Sequence, residues 1–123
     1  MVEALEPHLK KFQKELAAGT VSLVLLATLA RSAEPRYGYQ IAKELEAADP
    51  ELAGGKQSAL YPVLRNLSTA GLLDSWVEPS VAGPPRRYYR ITDTGRIALR
   101  QWRASWQAMR DFVETILERS SQS

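Results

Sequence analysis

Residues 58–69 combine a periodic apolar face with polar side chains that can hydrogen-bond to nucleic-acid bases and phosphates. The apolar residues recur at steps of three and four, the spacing of a helix that packs on one side. They are Leu60, Val63, Leu64 and Leu67. The candidate contact residues elsewhere on this helix are Ser58, Tyr61, Pro62, Arg65, Asn66 and Thr69. The segment therefore predicts an amphipathic helix with hydrogen-bonding groups directed outward.

The chemistry of the outward face favours DNA as the partner. Arg65 can pair with guanine, and Asn66 with adenine, through two hydrogen bonds in the major groove. No Asp or Glu occurs between residues 58 and 69, so nothing on this face would repel phosphate. Ser58 lies at the predicted helix start, where free backbone amides and the helix dipole favour a phosphate. The alternative interpretation is the solvated face of an ordinary globular domain, which also needs polar residues.

A basic hairpin is predicted to follow this helix. The turn Gly83-Pro84-Pro85 is followed directly by Arg86 and Arg87. A basic hairpin beside a DNA-recognition helix can lie along the backbone or enter the minor groove, although a solubilising loop would have the same composition. Tyr37 and Tyr39 can donate a hydroxyl to phosphate or can pack against the domain.

Five helices and one hairpin are predicted to position these groups. Gly19 is expected to stop the first helix, Thr20 to cap the second and Thr92 to cap the last. Alternation along the second strand places Tyr88 and Tyr89 on opposite faces. The predicted helices span residues 2–18, 20–31, 39–48, 58–70 and 93–119, and the predicted strands span residues 72–79 and 86–92.

The predicted fold class is mainly α with a small β-hairpin. Three helices followed by a hairpin form a winged helix-turn-helix core, here at residues 20–92. A helix is added at each end, at residues 2–18 and 93–119, and we assign both of these helices to dimerisation. A chain of this length suits one domain, spanning residues 1–123.

Both end helices carry an apolar stripe with steps of three and four, the pattern of helices packed at a shallow angle. The stripe residues are Leu5, Leu9, Phe12, Leu99, Trp102, Trp106, Met109 and Val113. A single small winged domain cannot cover both stripes, and exposed patches of this kind are unusual in monomers. We therefore expect a two-fold homodimer that presents two recognition helices to palindromic double-stranded DNA.

Trp102 and Trp106 lie one turn apart on the last stripe and have two interpretations. Tryptophan buries a large area, so both residues can serve the packing of the dimer. Two indoles with their symmetry mates could instead form a slot for a small planar aromatic effector. The residues alone leave both interpretations open.

Composition excludes several classes of protein. The 123-residue chain has no cysteine and one histidine, His8, which excludes a disulfide scaffold, a thiolate zinc site and a histidine-based triad within one chain. With no phosphate loop and no paired carboxylates or nucleophile–base pair in a plausible pocket, we predict no enzyme, cofactor or metal site. The longest apolar run, residues 21–30, is too short to span a bilayer. No membrane partner and a cytoplasmic location are expected.

Three segments of the chain resemble the PadR family of transcriptional regulators, most closely over residues 10–100. They are Tyr37–Ile41, then Leu60–Leu67 with Gly71–Leu73, and finally Arg86–Thr92 with Gly95. The family usually has threonine in place of Ala59, and often arginine in place of Asn66 and glutamate in place of Ser68. These departures change the groups that are available to recognise a half-site.

The resemblance implies a DNA-binding regulator, and we expect a repressor that binds a palindromic operator as a homodimer. The chain is similar to the smaller subgroup with one short terminal helix, in which the end helices form the dimer. Some members bind planar aromatic ligands between their terminal helices, with a tryptophan at the position of Trp106. The alternative function is a winged-helix protein-interaction module without DNA binding, which would tolerate acidic residues on the face at 58–69.

Overall fold

A computed structural model of the chain describes residues 2–48 and 59–122, with side chains over residues 4–48 and 59–120. The elements in chain order are α1 (Val2–Arg31), β1 (Arg36–Tyr37), α2 (Gly38–Ala48), α3 (Leu60–Thr69), β2 (Leu73–Glu78), β3 (Arg86–Ile91) and α4 (Asp93–Gln122). The architecture is mainly helical with a small antiparallel sheet, as the sequence predicts. Helices α2 and α3 form the helix-turn-helix, and the hairpin β2–β3 forms the wing.

The predicted break at residues 19 and 20 is wrong, because α1 is one continuous helix of 30 residues. Thr20 does not cap a new helix. Its hydroxyl donates back into the preceding turn, to the carbonyl oxygens of Leu16 at 3.1 Å and Ala17 at 3.3 Å. Gly19 costs helix stability relative to alanine, but packing of the helix along α4 and into the core overrides this local preference.

Helix α1 is long and apolar enough, over Ala4–Arg31, to cross a membrane by length and composition alone, since an 18-residue window within it has a mean hydropathy of 1.2. The continuity of the helix makes this stretch longer than the apolar run at residues 21–30. In the fold, Leu25, Leu26 and Leu29 of α1 are fully buried within the domain. The protein core therefore accounts for these three leucines of the second half of α1, whereas Val24 in the same stretch is 39% exposed.

The core lies where α1, α2 and α3 meet the sheet. Its buried residues are Leu25, Leu26, Leu29, Ile41, Ala42, Leu45, Leu60, Leu64, Leu67, Leu73, Tyr89, Ile91 and Ala98. In β3, Tyr89 and Ile91 are buried while Tyr88 lies on the opposite face, which confirms the predicted alternation. The sheet has the order β1-β3-β2 with antiparallel pairing. Strand β1 was not predicted, since two residues are too few to show alternation.

Thr92 ties the wing to the start of α4. The Gly95 amide donates to the Thr92 hydroxyl oxygen at 2.9 Å, which confirms the predicted helix cap. The Thr92 hydroxyl in turn lies 2.8 Å from the carbonyl oxygen of Gly71, to which it can donate. The Thr92 amide donates to the Leu72 carbonyl at 3.1 Å. One threonine therefore joins the end of β3, the turn after α3 and the first turn of α4.

Candidate nucleic-acid interface

Helix α3 presents one face to the core and the other to solvent. Leu60, Leu64 and Leu67 are at most 5% exposed, so the apolar stripe packs inward as predicted. The predicted contact residues of α3 that are exposed are Tyr61, Pro62, Arg65, Asn66 and Thr69. Ser58 lies outside the described residues. The outward face of α3 is thus polar and carries positive charge without a compensating carboxylate.

An open cleft of about 1160 Å³ separates α3 from the wing. The residues that line it from α3 are Tyr61, Arg65, Ser68 and Thr69. Those from the sheet and the wing tip are Leu73, Asp74, Ser75, Ser80, Ala82, Gly83, Pro84, Pro85, Arg86, Arg87 and Tyr89, so that among the described residues one carboxylate, Asp74, lines the cleft with the arginines. Tyr37, Gly38 and Tyr39 line it from β1 and the start of α2. The cleft joins most of the candidate DNA-binding residues into one surface, with arginines on both sides.

The two arginines of the wing differ in position, although the sequence predicts the same role for both. Arg87 lies on the strand face that also holds Tyr89, and its Nη1 donates to the Ser75 hydroxyl at 2.7 Å. Arg86 lies on the opposite strand face, where its guanidinium sits 4.4 Å from the centre of the Tyr37 ring. Strand alternation accounts for the difference. Arg87 is therefore better placed than Arg86 to neutralise a phosphate inside the cleft.

A row of aromatic rings crosses the outer face of the three-stranded sheet. The Tyr37 and Tyr88 ring centres are 5.6 Å apart in an edge-to-face contact, and the Tyr88 and Trp76 centres are 6.3 Å apart and stacked. Arg90 lies 5.4 Å from the Trp76 ring centre and pairs with Asp74 at 3.5 Å. Such contacts add to simple area burial. Tyr37 accordingly packs against Tyr88 of the wing while it also lines the cleft.

Tyr39 has a different environment from Tyr37. It is 48% exposed, and Lys43 Nζ lies 5.5 Å from the centre of its ring. The sequence reasoning missed Lys43, although the spacing of four residues on one helix places it beside Tyr39. The pair adds a cation and a phenol to the exposed surface of α2, next to the cleft.

Polar contacts fix the start of α2 beside the sheet. The Tyr37 amide donates to the Gln40 side-chain oxygen at 3.1 Å, which satisfies a free donor at the helix start. Glu44 pairs with Arg36 at 2.8 Å and with Arg31 at 3.6 Å. The Glu44 Oε2 atom is buried and has no hydrogen bond of good geometry, so the Arg36 ion pair offsets its burial. These contacts join α2 to β1 and to the end of α1.

Tyr89 lies at the base of the cleft, between α3 and the wing. Burial raises the pKa of its phenol above the ordinary value, and the nearby charges of Arg87 and Arg65 oppose that rise. The phenol therefore stays protonated at neutral pH. Arg87 of the wing and Arg65 of α3 both line this cleft together with Tyr89.

The end helices carry a second surface, which is apolar. Leu5, Leu9, Phe12, Trp106, Met109 and Val113 are all at least 39% exposed in the protomer. Leu99 and Trp102 differ, since both are partly buried against the core of their own domain. Leu16 and Ile116 continue the two stripes at the same predicted spacing and are also exposed, whereas the exposed residues Phe112 and Leu117 were not assigned to this surface. The stripe on α4 therefore begins in the protomer core and continues onto the exposed surface.

A groove of about 340 Å³ lies between α1 and α4. Trp106 forms the α4 side, and the residues of α1 that line it are Leu16, Ala17, Thr20, Leu23 and Val24. The groove is mostly apolar and is continuous with the exposed stripes. It has the composition expected for packing against another helix or for holding an aromatic ring.

Known proteins resemble the chain in sequence and in fold. The profile of the family described as "Transcriptional regulator PadR-like family" matches residues 25–101. A PadR family transcriptional regulator from Eggerthella lenta is 35% identical, with a TM-score of 0.80 over 94% of this chain and 97% of that protein. A PadR-like transcriptional regulator from Bacillus cereus is 26% identical, with a TM-score of 0.67 over 84% and 96%. An uncharacterised protein from Lysinibacillus sphaericus is 26% identical over 83 residues, 68% of this chain and 76% of that protein.

Proposed function

The chain belongs to the PadR-like family of transcriptional regulators, and we propose that it represses transcription by binding a palindromic operator as a homodimer in the cytoplasm. The family consists of regulators and not of enzymes. The observation that carries the proposal is the cleft between α3 and the wing, which has arginines on both sides. Among its described lining residues, Arg65, Arg86 and Arg87 outnumber the one carboxylate, Asp74, so the charge of the cleft suits a sugar-phosphate strand.

In this proposal, α3 enters the major groove while the wing follows the adjacent backbone. Arg65 and Asn66 meet base edges, because both are exposed on α3 and can form paired hydrogen bonds with bases. Arg87 neutralises phosphate in the cleft, and residues 83–85 reach toward the minor groove. Two-fold symmetry places the two recognition helices about 34–36 Å apart, one duplex turn.

Selection from a pool of random duplexes tests the proposal directly. We expect a palindromic consensus, bound with an affinity that falls steeply as salt concentration rises, because bound phosphates release counterions. A consensus without symmetry would contradict the dimeric operator. Failure to bind any duplex at low salt would contradict DNA binding itself and favour the protein-interaction module.

Alanine variants separate the roles of the arginines. Arg87→Ala should weaken binding to all duplexes alike and reduce the salt slope by about one unit, and Arg86→Ala should reduce the slope less. Arg65→Ala should relax the preference at one base position and cost about 1–3 kcal/mol. Lys10→Ala is the control, because Lys10 is a highly exposed cation of α1 whose ion pair with Glu6 has a long 3.7 Å separation. Equal slopes for Arg86→Ala and Arg87→Ala would contradict the different positions assigned to them.

We further propose that a planar aromatic effector binds beside Trp106 and releases the DNA. The supporting observation is the apolar groove that Trp106 forms with α1. Such a ligand acts only if it binds one relative pose of the two recognition helices better than another. A change at the dimer interface alters the relative position of the two recognition helices, since α4 follows directly from the wing.

Fluorescence titration with planar cationic and phenolic compounds tests the effector site. We expect a saturable quench that Trp106→Ala removes, because aromatic stacking requires the indole. Trp76→Phe is the control and should retain the quench, since Trp76 lies on the outer face of the sheet. If no compound quenches the wild-type protein and Trp106→Ala lowers its melting temperature, Trp106 serves packing alone.

A further inference from the structure

Gly38 is in unusually close contact with the recognition helix. A β-carbon at this position would lie 2.7 Å from Tyr61 Cε1, 3.4 Å from Cδ1 and 3.7 Å from Cζ. The edge of the Tyr61 ring therefore rests on the α-carbon of Gly38, at the first residue of α2. Gly38 does not have a positive φ, unlike Gly71 and Gly83. The backbone conformation does not require a glycine at position 38, and the approach of the ring does.

The contact with Gly38 involves Tyr61, a side chain of the candidate DNA-binding surface. Tyr61 is 37% exposed and lines the cleft together with Arg65. The two residues are four apart on α3 and so lie on the same face. Because Cε1 and Cζ are near the hydroxyl end of the ring, the contact with Gly38 fixes the part of Tyr61 that a ligand in the cleft would meet.

We propose that Gly38 is a positioning residue for DNA recognition, which acts by letting the edge of the Tyr61 ring pack against the start of α2. The proposal rests on the DNA-binding function proposed above. A methyl group at position 38 displaces the ring, because the ring end can rotate into solvent at lower cost than the backbone can move. The displaced phenol then no longer occupies its wild-type position at the cleft, so the surface that meets the duplex is altered.

A double-mutant cycle with Gly38→Ala and Tyr61→Ala tests this inference. Gly38→Ala should weaken binding to the selected duplex by about tenfold, with the base preference altered at the positions that Tyr61→Ala alters. The double variant should bind as tightly as Tyr61→Ala alone, because without the ring the methyl group has nothing to displace. Gly19→Ala is the matched control, since nothing lies within 4 Å of a β-carbon there, and it should bind like the wild-type protein.

Thermal melts of each variant accompany the binding assays, which are run well below the melting temperatures. Gly38→Ala should fold, and a variant that fails to fold would overturn the inference, because the ring would then not give way. An affinity of Gly38→Ala equal to wild type, or an equal loss in both Tyr61 backgrounds, would overturn the positioning role and leave the proposed function intact. Absence of wild-type binding to any duplex would overturn both.

Discussion

Gly95→Ala should lower the free energy of unfolding by at least about 3 kcal/mol, at the upper end of what overpacking costs. A β-carbon at position 95 would collide with the backbone carbonyl oxygen of Leu72 and lie 2.8 Å from Ile91 Cγ1. Neither neighbour is free to move. The Leu72 carbonyl accepts the Thr92 amide at 3.1 Å, and Ile91 is only 6% exposed within the core.

The clash at position 95 involves backbone, which distinguishes it from the contact at Gly38. Relief requires α4 to shift away from the turn between α3 and β2, and that shift breaks the contacts of Thr92. Since α4 carries the exposed apolar stripe, the same displacement also disturbs the end helices. We therefore expect a broad loss of stability and not a local adjustment.

Urea unfolding at a fixed protein concentration measures the effect, with Gly19→Ala as the matched control. Gly19 lies inside α1 with open space around its α-carbon, so alanine there should raise stability by about 0.5–1 kcal/mol. The same Gly-to-Ala change is thus expected to act in opposite directions at the two positions. A stability of Gly95→Ala within about 1 kcal/mol of wild type would show that the contact with Leu72 is not tight.

A comparison of these glycines shows which features of the fold can be predicted from the local sequence. The cap at Thr92 and the amphipathic face of α3 depend on neighbours within a few residues, so periodicity and residue type were sufficient. The residues around Gly19, Gly38 and Gly95 do not show what lies next to each α-carbon in the folded protein. Only the tertiary packing distinguishes a glycine tolerated inside a helix from two glycines that admit a close neighbour.

The candidate site also combines features that the local sequence predicts with features that only tertiary packing determines. The apolar stripe of α4 was predicted from its period, but Trp102 packs on its own domain while Trp106 lies beyond that contact. The apolar residues of α4 recur with the same spacing before and after this point, so the spacing does not show where the helix leaves the core of its own domain. That point is set by how far the rest of the domain extends along α4. Likewise, alternation puts Arg86 and Arg87 on opposite strand faces, yet only the tertiary structure shows that Arg87 lies with Tyr89 at the base of the cleft while Arg86 packs on Tyr37.

Phe12→Glu should convert the protein from a dimer to a monomer at micromolar concentration. Phe12 is 59% exposed in the protomer and lies on α1 between Leu9 and Leu16, which are 54% and 46% exposed. The second half of α4 exposes a matching stripe that includes Phe112 at 62%. In the proposed dimer these stripes cover each other, so a carboxylate at position 12 would be buried without a partner, at high cost.

Sedimentation velocity measures the assembly, and circular dichroism establishes that the variant retains its helices. Lys14→Glu is the control, because it introduces the same side chain at an exposed position of α1 that lies off the apolar stripe, and it should remain dimeric. A monomeric wild-type protein at the same concentration would contradict the proposed assembly. So would a Phe12→Glu variant that sediments as a dimer.

Loss of the dimer should also remove most of the affinity for a palindromic operator. Binding of one half-site in a dimer holds the second recognition helix near its own half-site, which raises affinity by about 10²–10⁴ without any new contact. Phe12→Glu leaves α3 and the wing unchanged, so each monomer should retain only weak binding to single half-sites. The affinity for a half-site should therefore be similar for the two proteins, while the affinity for the palindrome falls at least about a hundredfold. An undiminished affinity of the monomeric variant for the palindrome would show that the end helices do not couple the two DNA-binding surfaces.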